Sequence, residues 1–359
     1  MNTSRSSHTS ATHNAPDKAV EGELSEHPGQ VRIASLGGGH GLFNTLRGAR
    51  VVADDVTAIV TVADDGGSSG RMRRELGSIP PGDLRMALAA LTEDSEGGRL
   101  WEEAIQHRFG GYGALKGHAV GNLMISGLEQ VLGSLVRALD EMGKLLGVKG
   151  RVLPMCPEPL DLEAEVSGLE EDPREVVPVR GQVAVATTMG QVRRVRMIPH
   201  RPAATPEAVT AIENADLITL GPGSWFSSVI PHILVPGLVD ALNAAKAPKV
   251  LIMNLVAEAG ETAGMSMEHH IHMVFQHAQS LAIDVIVVDM TVMPRPAQRT
   301  HVERAAQALG AKVIYRDVRE DDARGRFGDR HKPAKMAAVF QEILSTPIDS
   351  LPSTLANNG

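Results

Sequence analysis

The sequence is poor in the residues that mark several classes of protein. Its 359 residues include one cysteine, so no disulfide can form within the chain, and only 3% of them are aromatic. Scarce aromatic residues leave few platforms on which nucleic-acid bases could stack. The formal net charge is −8, whereas a nucleic-acid-binding protein usually carries an excess of basic charge. These absences argue against a disulfide-stabilised scaffold and against a nucleic-acid partner.

Long apolar runs are also missing. No stretch of 18 consecutive apolar residues occurs, so we expect no membrane span. Residues 1–29 are rich in Ser, His, Asn and Glu and lack the apolar core of a secretory signal, and we interpret them as a disordered tail. Residues 346–359 are predicted to form a flexible C-terminal tail. The lone Cys156 fits a reducing compartment, and we expect a cytoplasmic protein.

Between the tails, strand-like segments alternate with segments of helical periodicity. This alternation predicts one α/β domain over residues 30–345, with a Rossmann-like, three-layer fold: a parallel sheet with helices on both faces. Residues 151–200 interrupt the alternation with short β-prone pieces and predict a small, mostly antiparallel β-rich insertion. The clearest helix is predicted over about 122–146, where apolar residues recur at three- and four-residue steps.

Two glycine-rich loops follow predicted strands, at Gly37–Gly41 and at Gly221–Ser224. The carboxyl ends of parallel strands meet at one edge of a sheet, and ligands bind there. Glycine lets the backbone approach a ligand, and the N–H groups of the following helix can bind an anion. A tight turn without a ligand is the alternative, since Leu42 breaks the G-x-G-x-x-G pattern. The predicted phosphate contacts are Gly38, Gly39, His40, Gly41, Gly221, Gly223 and Ser224.

Adjacent carboxylates end the second predicted strand, at Asp64 and Asp65. They repel each other, and two functions would explain them: a Mg²⁺ ion shared with ligand phosphates, or hydrogen bonds to sugar or base donors. A solvated acidic turn is the alternative. No cofactor other than Mg²⁺ is suggested. Ser68 and Ser69 follow as further candidate contacts.

The run Gly66–Gly70 also fits G-x-S-x-G, the nucleophile elbow of α/β-hydrolases, with Ser68 as nucleophile. Carboxylates rather than buried apolar residues precede it, and no particular histidine is singled out as a base. A serine hydrolase is therefore the less favoured enzyme alternative.

Several polar residues near predicted helix starts and strand ends are weaker candidates, because each could equally be a cap or a structural residue. The sequence predicts ligand contacts at Asp83, Arg85, His118, Asn122 and Asn254. The carboxylates Glu258 and Glu261 could contact hydroxyls or lie in a solvated loop. Four histidines between 269 and 277 do not reproduce a zinc motif, and Cys156 has no neighbouring base.

The order of these motifs resembles a known family. The segments Leu36–Gly41 and Thr61–Gly70 are similar to the gluconeogenesis factor family, bacterial UDP-N-acetylglucosamine-binding proteins of the CofD-like superfamily. The resemblance extends in order over roughly 31–345. Its further segments are Ile79–Arg85, His118–Leu123, Arg151–Pro154, Leu220–Ser224, Ile230-Pro231, Leu234–Gly237 and Gly260–Thr262.

This resemblance implies a UDP-sugar ligand and a role in cell shape, or morphogenesis, during growth on gluconeogenic carbon sources. It also implies a regulator more than an enzyme, although the superfamily includes the Mg²⁺-dependent 2-phospho-L-lactate transferase, which is the alternative function. Two positions depart from the family pattern. His40 replaces a threonine of the glycine loop, and Met265 stands where relatives often carry an aromatic residue linked to UDP-sugar binding. Methionine can still cover a ring with its sulfur, so Met265 is a predicted contact.

The sequence thus predicts a UDP-sugar-binding protein whose partners are its ligand and a protein of cell-wall or carbon metabolism. It leaves homo-oligomerisation open. It predicts no catalytic residue, and Asp64 and Asp65 are the predicted metal ligands if Mg²⁺ binds.

Overall fold

A seven-stranded sheet forms the centre of the protein. The structure, a computed structural model, describes residues 30–257, 262–293, 296–321 and 327–354. The strand order is β10-β9-β8-β7-β1-β2-β3, and all neighbours run parallel. The strands are β1 (Arg32–Gly37), β2 (Asp55–Val60), β3 (Arg151–Pro154), β7 (Leu217–Leu220), β8 (Lys249–Ile252), β9 (Val285–Asp289) and β10 (Lys312–Arg316).

The central strands are short and apolar, and every residue of β7, β8 and β9 is buried. Strands with two covered faces have this composition because neither side meets water. The helices outside the antiparallel sheet are α1 (Gly39–Val52), α2 (Gly67–Leu76), α3 (Gly82–Leu91), α4 (Glu96–Gln106), α5 (Val120–Leu132), α6 (Leu135–Leu145), α8 (Pro206–Glu213), α9 (Ile230–Ile233), α10 (Pro236–Ala244), α11 (Met267–His277), α12 (Pro296–Gln307) and α13 (Pro333–Ser345). The predicted three-layer α/β fold is confirmed.

The order in which successive strands are added across the sheet reverses between β1 and β7. From β1 it proceeds to β2 and β3, whereas from β7 it proceeds to β8, β9 and β10 in the opposite direction. Since such crossovers are right-handed, the helices after β1 and β7 lie on opposite faces of the sheet. A crevice therefore opens at the carboxyl ends of β1 and β7, which is where open α/β sheets bind ligands.

A second, antiparallel sheet has the order β5-β4-β6, with β4 (Asp161–Ser167), β5 (Val176–Arg180) and β6 (Gln191–Ile198). The short helix α7 (Gln182–Ala186) connects β5 to β6. A β-rich insertion was predicted from residue 151, but Arg151–Pro154 is the edge strand β3 of the central sheet and pairs with β2. Its isolated Arg-Val-Leu-Pro sequence carries no signal that separates an edge strand from the insertion.

The single helix predicted over 122–146 is wrong, because the structure has two helices there. Helix α5 ends at Gly133, whose φ of 66° lies in the left-handed region, and Ser134 then caps α6 by accepting a hydrogen bond from the Arg137 N–H. The apolar spacing continues through the break because both helices face the same core.

The polypeptide after α13 does not match the flexible tail predicted from residue 346. A 3₁₀ turn spans Ile348–Ser350, and Leu351 is buried. The Tyr315 N–H donates to the Ser353 carbonyl, 2.7 Å away, so this segment extends the edge at β10. The tail boundary at 345 was therefore placed too early.

A short hairpin, β11 (Arg319–Asp321) and β12 (Phe327–His331), stands outside both sheets and was not predicted. Within the described residues no single helix is long and apolar enough to cross a membrane. The bent pair Trp225–Ile233 and Pro236–Ala244 passes that test only when the two are taken together, by length and composition.

Candidate functional site

The two predicted glycine loops meet at the crevice between β1 and β7. A Cβ atom added at Gly41 would lie 2.1 Å from the carbonyl oxygen of Pro222, so the start of α1 touches the second loop directly. Only glycine at position 41 permits this approach. The structure thus brings Gly38, Gly39, Gly41, Gly221 and Gly223 into one cradle.

The start of α1 follows Gly38, which has no side chain to cap the helix, and Gly39 has a left-handed φ of 57°. The Gly39 N–H donates to the carboxyl group of Asp83. The first N–H groups of an uncapped helix need an acceptor, and an anion supplies one. A Cβ at Gly38 would lie 2.6 Å from Asp83 Oδ2 and 3.0 Å from Ser228 Oγ, so this backbone sits among polar groups of two other segments.

Asn254 holds the second loop in place. Its Oδ1 accepts a hydrogen bond from the Gly223 N–H at 3.0 Å, and its Nδ2 donates to the Gly223 carbonyl at 2.9 Å. Gly223 has a φ of 148°, which favours glycine. The predicted contact Ser224 follows, half-buried, and precedes a π-helix at Trp225–Val229. Asn254 is therefore a residue that positions the loop, in addition to any contact it makes with a ligand.

A cavity of about 240 Å³ lies against this cradle. The exposed His40 borders it, together with Gly223, Asn254 and the β12 residues Arg330 and His331. Sequence reasoning missed Arg330 and His331, because they follow no strand of the main alternation. The only signal was a basic pair in a polar stretch.

A second cavity, of about 320 Å³, adjoins the first and shares Asn254, Leu255 and Val256 with it. Its walls are rich in methionine and include Met253, Met265, Met267 and Met293. The half-buried Met265 also borders a third cavity of about 420 Å³, on the side of the antiparallel sheet. Met265 is thus the wall between two cavities. We name the 320 Å³ space the methionine cavity.

On the other side of the cradle, two carboxyl groups approach each other. Burial, reinforced by the charge of Asp64, raises the pKa of Asp83 to about 7, against the stabilising effects of the Gly39 N–H and Arg85. Burial also raises the pKa of Asp64, although its Oδ1 accepts the Gly66 N–H at 2.9 Å and Ser69 hydrogen-bonds to it. Asp64 therefore interacts with two acids: the charge of Asp65 raises the pKa of Asp64, and the charge of Asp64 raises the pKa of Asp83.

Asp65 has a different environment. Its Oδ2 accepts the Gln182 N–H and its Oδ1 accepts the Val183 N–H, both at 2.9 Å. Both oxygens thus cap the start of α7 in the insertion. Each oxygen thus already accepts one backbone N–H, and a metal site at Asp64 and Asp65 stays a prediction. Within the described ranges no group of three or more His, Cys, Asp or Glu side chains is placed to hold a metal ion.

Ser68, His118, Asn122 and Arg85 form a buried polar network. Ser68 Oγ lies 3.0 Å from His118 Nδ1, and Asn122 Nδ2 donates to Ser68 Oγ at 3.1 Å. The Arg85 Nε donates to Asn122 Oδ1 at 3.0 Å. Burial, together with the charge of Arg71, lowers the pKa of His118.

The sequence did not single out a histidine for Ser68, and the structure pairs it with His118. A serine within hydrogen-bonding distance of an imidazole is the smallest arrangement of a nucleophile and its general base. The Ser68 side chain is 4% exposed, however, and Asn122 holds it in place. The network joins the starts of α2, α3 and α5, which is a structural role.

The remaining candidates have structural hydrogen bonds or are buried, and His270 also borders the methionine cavity. His270 Nδ1 and His277 Nδ1 lie 2.8 and 2.7 Å from the carbonyl oxygens of Ser266 and Met273, one turn earlier in or before α11. Glu258 and Glu261 lie outside the described residues. Cys156 is buried, which raises the pKa of its thiol to about 12.

Comparison with known proteins gives consistent relatives. The family model described as 2-phospho-L-lactate transferase CofD matches residues 33–323. A protein of Mycobacterium tuberculosis, provisionally named gluconeogenesis factor, is 56% identical over 316 residues, which cover 88% of this chain and 91% of the relative. The gluconeogenesis factor of Bacillus subtilis is 38% identical over 320 residues, 87% of this chain and 98% of the relative. A crystal structure of a UPF0052-family protein from Bacillus halodurans matches with a TM-score of 0.75 and 35% identity, covering 87% of this chain and 99% of that one.

Proposed function

Since the chain belongs to the CofD family and to its gluconeogenesis factor relatives, we propose that it binds a UDP-sugar, with UDP-N-acetylglucosamine as the first ligand to test. The observation that carries the proposal is the meeting of two glycine loops at the point where the strand order reverses, beside a cavity bordered by Arg330. Backbone N–H groups and a guanidinium suit a diphosphate, which bears two charges and many acceptor oxygens.

The proposed role is regulatory. We place the protein in the cytoplasm, where a nucleotide-sugar level would be reported to a protein of cell-wall or carbon metabolism and would affect cell shape on gluconeogenic carbon sources. The polar groups that could take part in a reaction have structural hydrogen bonds, which a protein that only binds its ligand also needs. Asn254 supports a loop, Asp65 caps a helix, and Ser68 is buried in a network.

Calorimetric titration of the purified protein with UDP-N-acetylglucosamine, with and without Mg²⁺, tests the proposal when the same samples are analysed for products. We expect saturable binding and intact ligand. The variant Arg330→Ala should weaken binding about tenfold, as expected for a lost charge-assisted hydrogen bond. The matched variant Arg304→Ala changes an exposed arginine of α12 that borders none of the cavities described above, and it should bind as the unaltered protein does. Absence of binding in every condition would refute the proposal.

A Mg²⁺-dependent transferase of the phospholactate type is the second candidate. The Asp64–Asp83 pair favours it, because two coupled carboxyl groups with raised pKa values beside an anion cradle are an arrangement that enzymes use. This candidate predicts turnover of a phosphate-activated donor and its loss in Asp64→Asn. An unaltered protein that leaves such donors intact would exclude it.

The serine hydrolase is the least supported alternative. Its nucleophile would be Ser68, with His118 as the base, at 3.0 Å. A fluorophosphonate probe that labels the unaltered protein but not Ser68→Ala would support the hydrolase. Because Ser68 is buried, we expect no labelling.

A further inference from the structure

A groove runs along the outer edge of β6. It consists of two adjoining cavities, of about 240 and 650 Å³, which share none of their lining residues with the three cavities described above. Arg194, His200, Arg201 and Leu234 border both cavities, and we name the two together the β6 groove. The groove lies between β6 and the segment from α9 to α10, and it extends to the end of α11.

One edge of β6 is open to a further strand. β6 pairs with β4 on one side, and among the residues that the structure describes no strand pairs with its other side. Val195, whose N–H points away from β4, and Met197 both border the groove. Backbone groups two residues apart in a strand point the same way, so the N–H and C=O of Met197 also face away from β4. Backbone groups on an open strand edge are a template for an extended segment of another chain.

His277 fixes the position of this edge. Its Nε2 accepts a hydrogen bond from the Val195 N–H at 3.0 Å, and its Nδ1 lies 2.7 Å from the Met273 carbonyl oxygen. Burial lowers the pKa of His277, and the charge of Arg194 adds to this effect, so the neutral ring accepts at Nε2 and donates at Nδ1. Helix α11 therefore holds β6 in place and leaves the edge at Met197 facing the groove.

The centre of the groove is basic. Arg194, His200 and Arg201 are exposed and border both of its cavities. Within the described ranges neither Arg194 nor Arg201 forms an ion pair. A guanidinium presents its donors in a fork that matches the two oxygens of a carboxylate. Two guanidinium groups are therefore available to an anionic group of a ligand.

Carboxylates border one cavity each, on either side of this basic centre. Glu163 and Glu165 border the smaller cavity, and Asp240 borders the larger one. Arg196 pairs with Glu163, whereas Arg194 lies opposite Glu165 in the β4–β6 register without forming an ion pair with it. A basic centre between acidic ends favours a ligand with one central acidic residue over a uniformly acidic ligand.

Arg201 has a backbone conformation that suits glycine better than arginine. Its φ is 56°, and in the described part of the chain it is the one non-glycine residue with a left-handed backbone. A side chain strains the backbone in this region, and strained residues cluster where the side chain has a function. Glycine at this position would relieve the strain, so a glycine variant separates the function of the side chain from its effect on stability.

The remaining walls of the groove are apolar. Ile233 and Val239 are 3% and 8% exposed, and Leu234 is half-buried, so the groove also has a surface for an apolar side chain. A site for a small molecule usually encloses most of its ligand, whereas exposed residues border this groove in both of its cavities. An open groove beside a strand edge fits an extended peptide better.

From the open edge and the basic centre we infer that the β6 groove binds an extended acidic segment of a protein partner. The backbone of this segment pairs with the edge of β6, and its central carboxylate lies between Arg194 and Arg201. The inference rests on the proposed regulatory role, which requires a protein partner, and adds the surface that binds the partner and the chemistry that recognises it.

The first test is a selection of phage-displayed random heptapeptides on the full chain, with counter-selection on the double variant Arg194→Ala/Arg201→Ala. We expect enriched peptides to carry Asp or Glu near the centre, next to an apolar residue. Enrichment of neutral or basic peptides, or no enrichment over the starting library, would overturn the inference.

The most enriched peptide is then synthesised with a fluorescent label, and its affinity is measured by anisotropy. Arg194→Ala should weaken binding about tenfold, as expected for a lost charge-assisted hydrogen bond. Arg193→Ala changes an exposed arginine of the same strand that borders neither cavity, and it should bind as the unaltered protein does. Arg201→Gly should also weaken binding about tenfold, while its Tm is unchanged or higher. A lower Tm with unchanged affinity would show that Arg201 is structural and would overturn its role.

A second measurement tests the pairing of backbones. Successive backbone N–H groups of an extended peptide point to opposite sides, so only one alternate set faces β6. Methylation of the nitrogens in that set should abolish binding, whereas methylation of the other set should leave most of the affinity. Equal effects of the two sets would overturn the pairing with β6.

Two controls separate this inference from its alternatives. If free succinate displaces the peptide at the peptide's own concentration, the groove is a small-anion site and the inference is wrong. Calorimetry with UDP-N-acetylglucosamine on Arg194→Ala and Arg201→Gly should give the affinity of the unaltered protein, because the groove shares no residue with the cavities at the crevice. A protein that binds the nucleotide-sugar but no acidic peptide would refute the inference alone, and one that binds the peptide but no nucleotide-sugar would refute the proposed function alone.

Discussion

The carboxyl group of Asp83 should make the proposed nucleotide binding depend on pH. Its pKa is raised to about 7 by burial and by the nearby charge of Asp64. The group lies against the backbone of Gly38 and Gly39, where the proposed diphosphate would bind. When Asp83 ionises, its charge opposes the ligand's charge in a poorly hydrated site. Protonated Asp83 should therefore favour binding, and the affinity should fall as the pH rises through 7.

The expected size follows from the pKa. With a value of about 7, roughly nine-tenths of the groups are protonated at pH 6 and roughly one-tenth at pH 8. If only the protonated form binds, the affinity for UDP-N-acetylglucosamine falls about tenfold between these two pH values. The diphosphate of this ligand stays doubly charged over the range, so the change belongs to the protein. Calorimetry at half-unit steps of pH measures it directly.

Two variants isolate Asp83 from His40, which borders the cavity of about 240 Å³ beside the glycine loops. The pH profile is therefore measured in His40→Asn. Adding Asp83→Asn keeps an acceptor for the Gly39 N–H and removes the charge. We expect this double variant to bind equally well from pH 6 to pH 8. A flat profile in His40→Asn, or a slope that survives in the double variant, would refute the reasoning.

Three further predictions concern the groups that build the site. Asn254→Leu removes both hydrogen bonds to Gly223, worth about 2 kcal/mol together, and should weaken nucleotide binding about thirtyfold. An unchanged affinity in calorimetry would contradict this prediction. Gly41→Ala should lower the free energy of unfolding in urea by about 2–3 kcal/mol, whereas Gly127→Ala, with open space around its Cβ, should leave it unchanged or raise it slightly. Asp65→Ala should lower the free energy of unfolding by about 1–2 kcal/mol, because α7 loses its cap, while nucleotide affinity stays within twofold. A large loss of affinity would show that Asp65 also contacts the ligand.

Much of the fold followed from sequence patterns that have one physical cause. Buried parallel strands are continuous apolar runs, and a glycine after such a run marks a close approach of backbone at the sheet edge. These two signals located β1, β2 and β7 with their loops, and hence the crevice. They failed at β3, because its four residues resemble the β-prone pieces that follow it.

The candidate site was predictable where one loop supplies several groups, and not where distant segments meet. Gly38 and Gly41 were found because they are contiguous. Arg330 was missed because the hairpin that carries it lies almost 300 residues after the first glycine loop in the chain. Likewise, sequence proximity suggested that Asp64 acts with Asp65, and it gave no sign that folding also brings Asp83 to Asp64. Long-range pairing is set by packing, which no local pattern encodes.

The divergence of Asp64 and Asp65 explains how two adjacent carboxylates are tolerated at one strand end. The charge of Asp64 acts on Asp83, whereas both oxygens of Asp65 accept N–H groups of the insertion. Each charge then has its own donors, the Gly66 N–H for Asp64 and two N–H groups of α7 for Asp65. A shift of this short backbone on ligand binding would be transmitted to α7 through two hydrogen bonds. Asp65 therefore connects the strand end at the crevice to α7, and the metal site at Asp64 and Asp65 stays a prediction.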